Sequence, residues 1–204
     1  MYADKLDVSR AERYVALKIL QADLSENSHE LKIHQLLAKA GGQRASDRIV
    51  QLLDHFNHTG PNGTHLCLVF EPLGMNVWEM KECIGLIPDM QKYGMEASFK
   101  YPVPIGKVIL RQILEALDVL HQNGIAHGDL GAPNMMFAPE DFGYPPEREI
   151  RQVVWKGRQV NPVYRKDGKI DKWAPRYQVE DEPLTESEYV DLSFKIKLSD
   201  MGAG

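Results

Sequence analysis

Apolar residues along the chain recur with two different periods, and the changes between them mark out its elements. Residues 13–20, Arg13-Tyr14-Val15-Ala16-Leu17-Lys18-Ile19-Leu20, form an apolar run broken by one lysine, and their β-branched and aromatic content predicts a strand. Ser25 and Ser28 are candidate N-caps for a following helix. In it Ile33, Leu36, Leu37 and Ala40 recur at helical spacing until Gly41-Gly42 ends the pattern. Glu30 shares the inward face of Ile33 and Leu37, where a carboxylate needs a partner. Two strand-like runs come next, Ile49 to Phe56 and Thr64 to Glu71. The turn signal Gly60-Pro61-Asn62-Gly63 between them predicts an antiparallel pair.

After Glu71-Pro72-Leu73-Gly74 the period lengthens. Residues 76–87 read as helical and 88–105 as a loop rich in Pro, Gly and Tyr. From Gly106 to Gly124, Leu110, Ile113, Leu114, Leu117 and Leu120 predict a core-facing helix. Met135-Met136-Phe137 reads as a strand, as does Phe194 to Leu198, where apolar and basic residues alternate. Residues 138–192 lack a periodic pattern and are rich in Pro and charge. That is too long for an ordinary connection, so a functional or flexible insertion is expected there.

Composition narrows the classes. The 204 residues suffice for one domain or two small lobes, and 43% hydrophobic with 26% charged residues is ordinary for a globular protein. A net charge of −5 gives no reason to expect a nucleic-acid partner, which usually shows as a basic surplus. Only Cys67 and Cys83 are present, and the first residues lack the apolar core of a secretory signal. No apolar run approaches the ~18 residues that span a bilayer. The expectation is a reduced protein of the cytoplasm, the nucleus or both, without a membrane partner.

The chemistry gathers in His127-Gly128-Asp129-Leu130-Gly131-Ala132-Pro133-Asn134, the H-x-D-L-x-x-x-N spacing of a phosphotransferase catalytic loop. There Asp129 would orient the acceptor hydroxyl and Asn134 would hold a metal ion. Lys18, in a V-A-x-K strand, can reach the α- and β-phosphates if Glu30 holds its flexible stem. Asp200 of Asp200-Met201-Gly202 stands where a metal-chelating Asp is expected, and hard oxygens from Asn134 and Asp200 suit Mg²⁺. His127 is expected to pack and to bond the backbone near Asp200 rather than to act as a base. The other histidines lack zinc-ligand spacing.

These residues together resemble a protein kinase, and more narrowly the SR-protein kinase family as found in fungi. The most specific match runs from Gly60 through the strand His65-Leu66-Cys67-Leu68-Val69-Phe70 to Glu71-Pro72-Leu73-Gly74. The resemblance implies an α+β, partial bilobal kinase fold: a small lobe and hinge at 1–74, the start of the large lobe at 75–137, an insertion at 138–192, and a strand with the Asp-Met-Gly at 193–204. It implies ATP and Mg²⁺ as cofactors and a protein substrate, with Arg/Ser-rich splicing factors as candidates. Phe70 would be the gatekeeper, the backbone at Glu71 and Leu73 would bond adenine, Ala16 and Met136 would sandwich the ring, and Ser199 would line its back.

The family lacks the usual Arg before the catalytic Asp, which accommodates Gly128. Gly131 stands where a lysine usually contacts the γ-phosphate, so slowed transfer or a different cation in that place is expected. No Gly-rich loop precedes Lys18 and no activation segment follows Gly204, so the resemblance implies a domain truncated at both ends. Much of the apolar face of the helix at 106–124 would then lack its cover. Two other readings are a pseudokinase or nucleotide-binding scaffold without turnover, and a small-molecule kinase of the aminoglycoside or choline type. The hinge match and the Lys18–Glu30 pairing argue against the latter.

Overall fold

Three of the apolar runs pair into one antiparallel sheet in the order β1-β3-β2, where β1 is Ala16–Ile19, β2 is Leu52–Gly60 and β3 is Gly63–Phe70. The structure is a computed structural model and describes residues 15–40, 42–83, 100–138, 160–170, 177–179 and 194–201. The pairing of Gly60 with Gly63 closes a two-residue turn at Pro61-Asn62, so the expected hairpin forms. β3 is the central strand, and its residues from Leu66 to Phe70 are all buried. Residues 13 and 14 of the expected first strand lie outside the described residues.

The second run starts later than its hydrophobicity suggests. Ile49 bridges Leu198, and the Val50 N–H donates to the Leu198 carbonyl at 3.0 Å, so β2 begins only at Leu52. The apolar character of Ile49 therefore reports a contact with a distant strand, while the Val50 side chain packs with Leu66, Leu68 and Phe70 of β3.

Between β1 and β2 lie α1 (Ala22–Ser25), α2 (His29–Ala40) and α3 (Gly42–Arg48). The Leu31 N–H donates to Ser28 Oγ at 3.2 Å, which makes Ser28 an N-cap of α2. Ser25 is not one. Its hydroxyl ends α1 by donating to the Gln21 carbonyl at 2.7 Å, and it accepts from the Leu66 N–H at 2.9 Å, tying α1 to the sheet. On α2 the buried positions are Glu30, His34 and Leu37, while Leu36 is left exposed on the flank of that stripe. The helix α3 escaped the sequence pattern because Gly-Gln-Arg-Ala-Ser-Asp-Arg has no apolar period. Side-chain bonds to another helix hold it instead.

That helix is α5, Val103–Gln122, preceded by α4 at Val77–Cys83. Residues 84–87 of the expected earlier helix, and 88–99 of the expected loop, lie outside the described residues. α5 starts three residues before Gly106, with Pro104 in its first turn, where no N–H is required. It ends as expected at Gly124, whose φ of 70° lets its N–H reach the His121 carbonyl while the Ile125 N–H reaches that of Leu120. The buried stripe is Ile105, Ile109, Gln112, Ile113, Ala116, Val119 and Leu120. Leu110 and Leu114, expected in the core, are 60% and 65% exposed because they lie one residue past Ile109 and Ile113, on the flank that also carries Val103.

The stripe packs on β7, Lys195–Leu198, which pairs antiparallel with β4, Met135–Ala138. A short ladder of β5 (Val160–Pro162) with β6 (Tyr177–Val179) lies within the expected insertion, whose remaining residues, apart from Ala138 and those at 163–170, fall outside the described set. Buried Gln112 joins three elements. Its amide nitrogen donates to the Phe194 carbonyl at 3.0 Å, and its oxygen accepts from the Ile196 N–H at 2.9 Å and from Arg48 at 3.0 Å. Replacing Gln112 by Leu strands these partners in the interior, and urea denaturation is expected to show a loss of about 3 kcal/mol. Leu114→Gln on the exposed flank should stay within about 0.5 kcal/mol of the unaltered chain.

Candidate active site

Strand alternation puts Ala16 and Lys18 on one face of β1, and the register sets them opposite Phe70 and Leu68 of β3. Helix α2 covers this face: the rings of His34 and Phe70 meet edge to face with centroids 5.1 Å apart. One turn before His34, Glu30 is only 5% exposed, and its carboxylate accepts from the Lys18 ammonium at 2.9 Å. The pairing expected from the helical face is therefore present. The same ammonium donates to Asp200 Oδ1 at 2.8 Å, a contact between residues 182 positions apart. Burial pulls the Lys18 ammonium down, but the hydrogen bonds and charges of Asp200 and Glu30 outweigh it and leave Lys18 above its usual value.

Asp200 reaches that place because β7 is held on both sides. β4 pairs along its whole length, and Ile49 and Val50, just before β2, bond Leu198 from the other side. At the end of β7 the Ser199 N–H and hydroxyl both donate to the Asn134 carbonyl, at 2.9 and 3.1 Å. Asp200 itself has φ of 60°, a left-handed conformation that Asp adopts more readily than bulkier residues.

The loop before β4 folds onto the same point. Its Gly128 has φ of 81°, which suits glycine and turns the backbone between His127 and Asp129. His127 is buried. Its Nε2 lies 3.0 Å from the Ser199 carbonyl, and its Nδ1 accepts from the Asp129 N–H at 3.3 Å. Only the tautomer with the proton on Nε2 satisfies both contacts. This is the packing role expected of His127. Asn134, in a short 3₁₀ turn at Ala132–Asn134, donates through Nδ2 to the Asp129 carbonyl at 2.9 Å and to its carboxylate at 3.1 Å. That leaves the amide oxygen of Asn134 for a cation.

Between these charged groups and the sheet runs the segment after β3. The Phe137 N–H donates to the Met75 carbonyl at 3.0 Å, the Gly74 N–H donates to the Phe137 carbonyl at 2.8 Å, and Asn76 bridges Met136, which ties the start of β4 to the connection. Leu73 packs on the cluster of Leu68 and Phe70. The Glu71 side chain accepts from the Gln51 N–H at 2.8 Å and from Lys197 at 2.5 Å. Lys197 was not foreseen, because strand alternation assigns it to the solvent face with Lys195, yet it is 7% exposed. Ala16, Lys18, Glu30, Phe70, Glu71, Leu73, Asp129, Asn134, Met136, Ser199 and Asp200 thus lie on elements that are bonded or packed to one another. A separate cavity of about 290 Å³ opens between α2, α3 and residues 49–52, and none of these residues lines it.

Against proteins of known function, the chain is 38% identical over 131 residues to protein kinase dsk1 of Schizosaccharomyces pombe, covering 62% of this chain and 22% of that one. It is 34% identical over 178 residues to serine/threonine-protein kinase SKY1 of Saccharomyces cerevisiae, covering 79% and 22%. With the serine/threonine-protein kinase SRPK of Physarum polycephalum it shares 31% identity over 212 aligned positions, covering 97% and 45%. The chain is a homologue of the SRPK-family kinases. It spans less than half the length of each of these three relatives. No family model matches it. The α+β architecture, a small antiparallel sheet followed by helices and the loop strand, agrees with a partial kinase fold of this homology.

His34, which sequence reasoning passed over, has an Nε2 with no hydrogen-bond partner among the described residues. Burial, helped by the Lys18 charge, pushes its imidazole down to about 4. Above the ordinary histidine value both folded and unfolded chains keep it neutral. Below that value the unfolded chain takes up the proton first, so stability falls with pH until the folded value is reached. Between pH 7 and pH 5 the unaltered chain should lose about 2 kcal/mol more than His34→Phe in chemical denaturation. Equal losses in the two proteins would remove His34 from the acid response.

Proposed function

We propose that the chain is the nucleotide-binding and catalytic-loop part of a serine/threonine protein kinase of the SRPK type, moving the γ-phosphoryl of ATP to a protein hydroxyl. The observation that carries this reading is Lys18 held between Glu30 and Asp200, with Asp129 and Asn134 bonded to each other in the loop that Ser199 joins to Asp200. Few other tasks call for one lysine between two carboxylates from opposite lobes beside an H-x-D-L-x-x-x-N loop.

Glu30 keeps the Lys18 stem ordered, so the ammonium is placed to meet α- and β-phosphate oxygens as it exchanges its Asp200 contact. The Glu71 carbonyl and the Leu73 N–H would receive adenine, with Ala16 above it, Met136 below it and Phe70 and Ser199 at its back. The donor set fits magnesium: one carboxylate from Asp200 and one amide oxygen from Asn134 leave room for phosphate oxygens and water, as Mg²⁺ requires. The ion would supply charge neutralisation at the phosphates. Asp129, steered by the Asn134 amide, would accept the proton of the attacking hydroxyl. The net charge of −5 suits a basic Arg/Ser-rich substrate, and splicing factors of that composition, in the cytoplasm or nucleus, complete the proposal.

Gly131 favours a second reading, a nucleotide-binding module without turnover. Its φ of −149° and ψ of 159° are open to any residue, and an added Cβ would meet nothing closer than Pro133 at 3.5 Å. Gly131→Lys should therefore fold, and if the missing cation limits transfer, labelling of an Arg-Ser peptide should rise at least tenfold (roughly). Asp129→Asn should keep stabilisation by Mg-ATP while transfer falls by about 10³-fold. Asp200→Ala should lose the magnesium-dependent part of that stabilisation. Stabilisation without labelling, in both the unaltered chain and Gly131→Lys, would establish the second reading. Labelling of an aminoglycoside or choline but not of peptide would indicate a small-molecule kinase.

A further inference from the structure

The buried ammonium of Lys197 has no part in phosphoryl transfer, yet the fold spends a 7% exposed lysine on it. Its partner is Glu71, 126 residues away in the segment proposed to receive adenine. The Glu71 carboxylate oxygen that takes the Lys197 proton donor also takes the Gln51 N–H, and the Glu71 N–H returns a bond to the Gln51 carbonyl at 3.1 Å. One carboxylate therefore fixes the segment after β3 against both the entry to β2 and the strand that carries Asp200. The register adds a second link. Lys197 is the cross-strand partner of Met136, and directly paired residues project from the same face of an antiparallel ladder. The Lys197 stem thus runs beside the side chain proposed as the floor of the purine slot, before its end turns to Glu71.

We propose that Lys197 is a positioning residue for the purine base: through Glu71 it sets the height of the Glu71–Leu73 backbone above Met136, and so the width of the slot. The proposal rests on the nucleotide-site reading and adds to it a division of labour. Lys18, Glu30 and Asp200 answer for the phosphates, and the Lys197–Glu71 pair answers for the base. An exposed ion pair between flexible chains would hold little. This one is different because Lys197 is buried, Glu71 is half-buried, and the shared oxygen is bonded on a second side by the Gln51 backbone.

Removing only one partner would leave a lone charge in the interior, so the test uses the double variant Lys197→Met, Glu71→Gln, with Lys197→Arg as the conservative control. Binding of adenosine, Mg-ATP and Mg-tripolyphosphate to each is measured calorimetrically, well below its melting temperature. The double variant is expected to bind adenosine and Mg-ATP roughly tenfold more weakly while keeping tripolyphosphate within about twofold. Lys197→Arg should recover most of the base affinity. Unchanged adenosine binding, or parallel loss of tripolyphosphate, overturns the positioning role. An unaltered chain that binds none of the three ligands overturns the nucleotide-site reading itself. Should the double variant not fold, Glu71→Asp, which keeps both charges and shortens the reach to Lys197, carries the comparison, with the same split expected at smaller size.

Discussion

A strand of four residues cannot hold itself in place, and β7 is such a strand, yet Asp200, two residues beyond it, meets a lysine from the other end of the chain. Its security comes from being bonded on every side. β4 pairs with it throughout, Ile49 and Val50 bond its last residue, and Gln112 of α5 bonds its first turn of backbone from inside the core. Lys197 ties it to Glu71, and Ser199 then locks onto Asn134 and His127. Each bond is modest in net terms, but most close on a buried group that would be costly to leave unpaired. The position of Asp200, and with it the Lys18 contact, follows from that confinement.

The polar groups of the site divide by burial. Glu30, His127 and Lys197 are interior, whereas Asp129 and Asp200 are exposed. The arrangement is physically sensible. Groups that orient others gain from a low dielectric and fixed partners, while groups that must exchange ligands need solvent access. Lys18 sits between the classes, with 39% of its side chain exposed, one buried partner and one exposed one. On the proposed reading it would surrender Asp200 to a phosphate and keep Glu30.

The homology to SRPK-family kinases and the geometry are independent supports for one reading, and they differ in what they reach. Sequence similarity extends to most of the chain, including stretches whose function is not chemical. The geometry explains why Gly128 is acceptable in this loop: the position has a left-handed backbone, where glycine carries no strain. It also shows that Gly131 is not required by the backbone, which is extended there. The two glycines looked alike in the sequence and are physically different.

Much of the site was legible beforehand because its signals are local. A turn of Gly-Pro-Asn-Gly between two β-rich runs makes a hairpin whatever surrounds it, and the spacing of Glu30 from Ile33 and Leu37 puts it on a buried face by helix geometry alone. The loop spacing from His127 to Asn134 is likewise set by adjacent residues. What failed to show was whatever depended on a distant partner. Ile49 looked like hairpin and bonds Leu198 instead. Leu110 and Leu114 had the spacing of a core stripe but fall on its flank, since which arc of a helix is covered depends on what packs there. The helix α3 is held by arginines reaching to Gln112, Glu115 and Asp118, contacts that no local period records. Lys197 alternates as a surface residue should, and only the approach of Glu71 makes its burial tolerable. The sequence by itself determined the hairpin, the helices that carry an apolar period, and the chemistry of the loop and strand residues. Tertiary structure decided which faces are covered and which charges meet, because burial and ion pairing are properties of partners brought together from 64 to 182 residues apart.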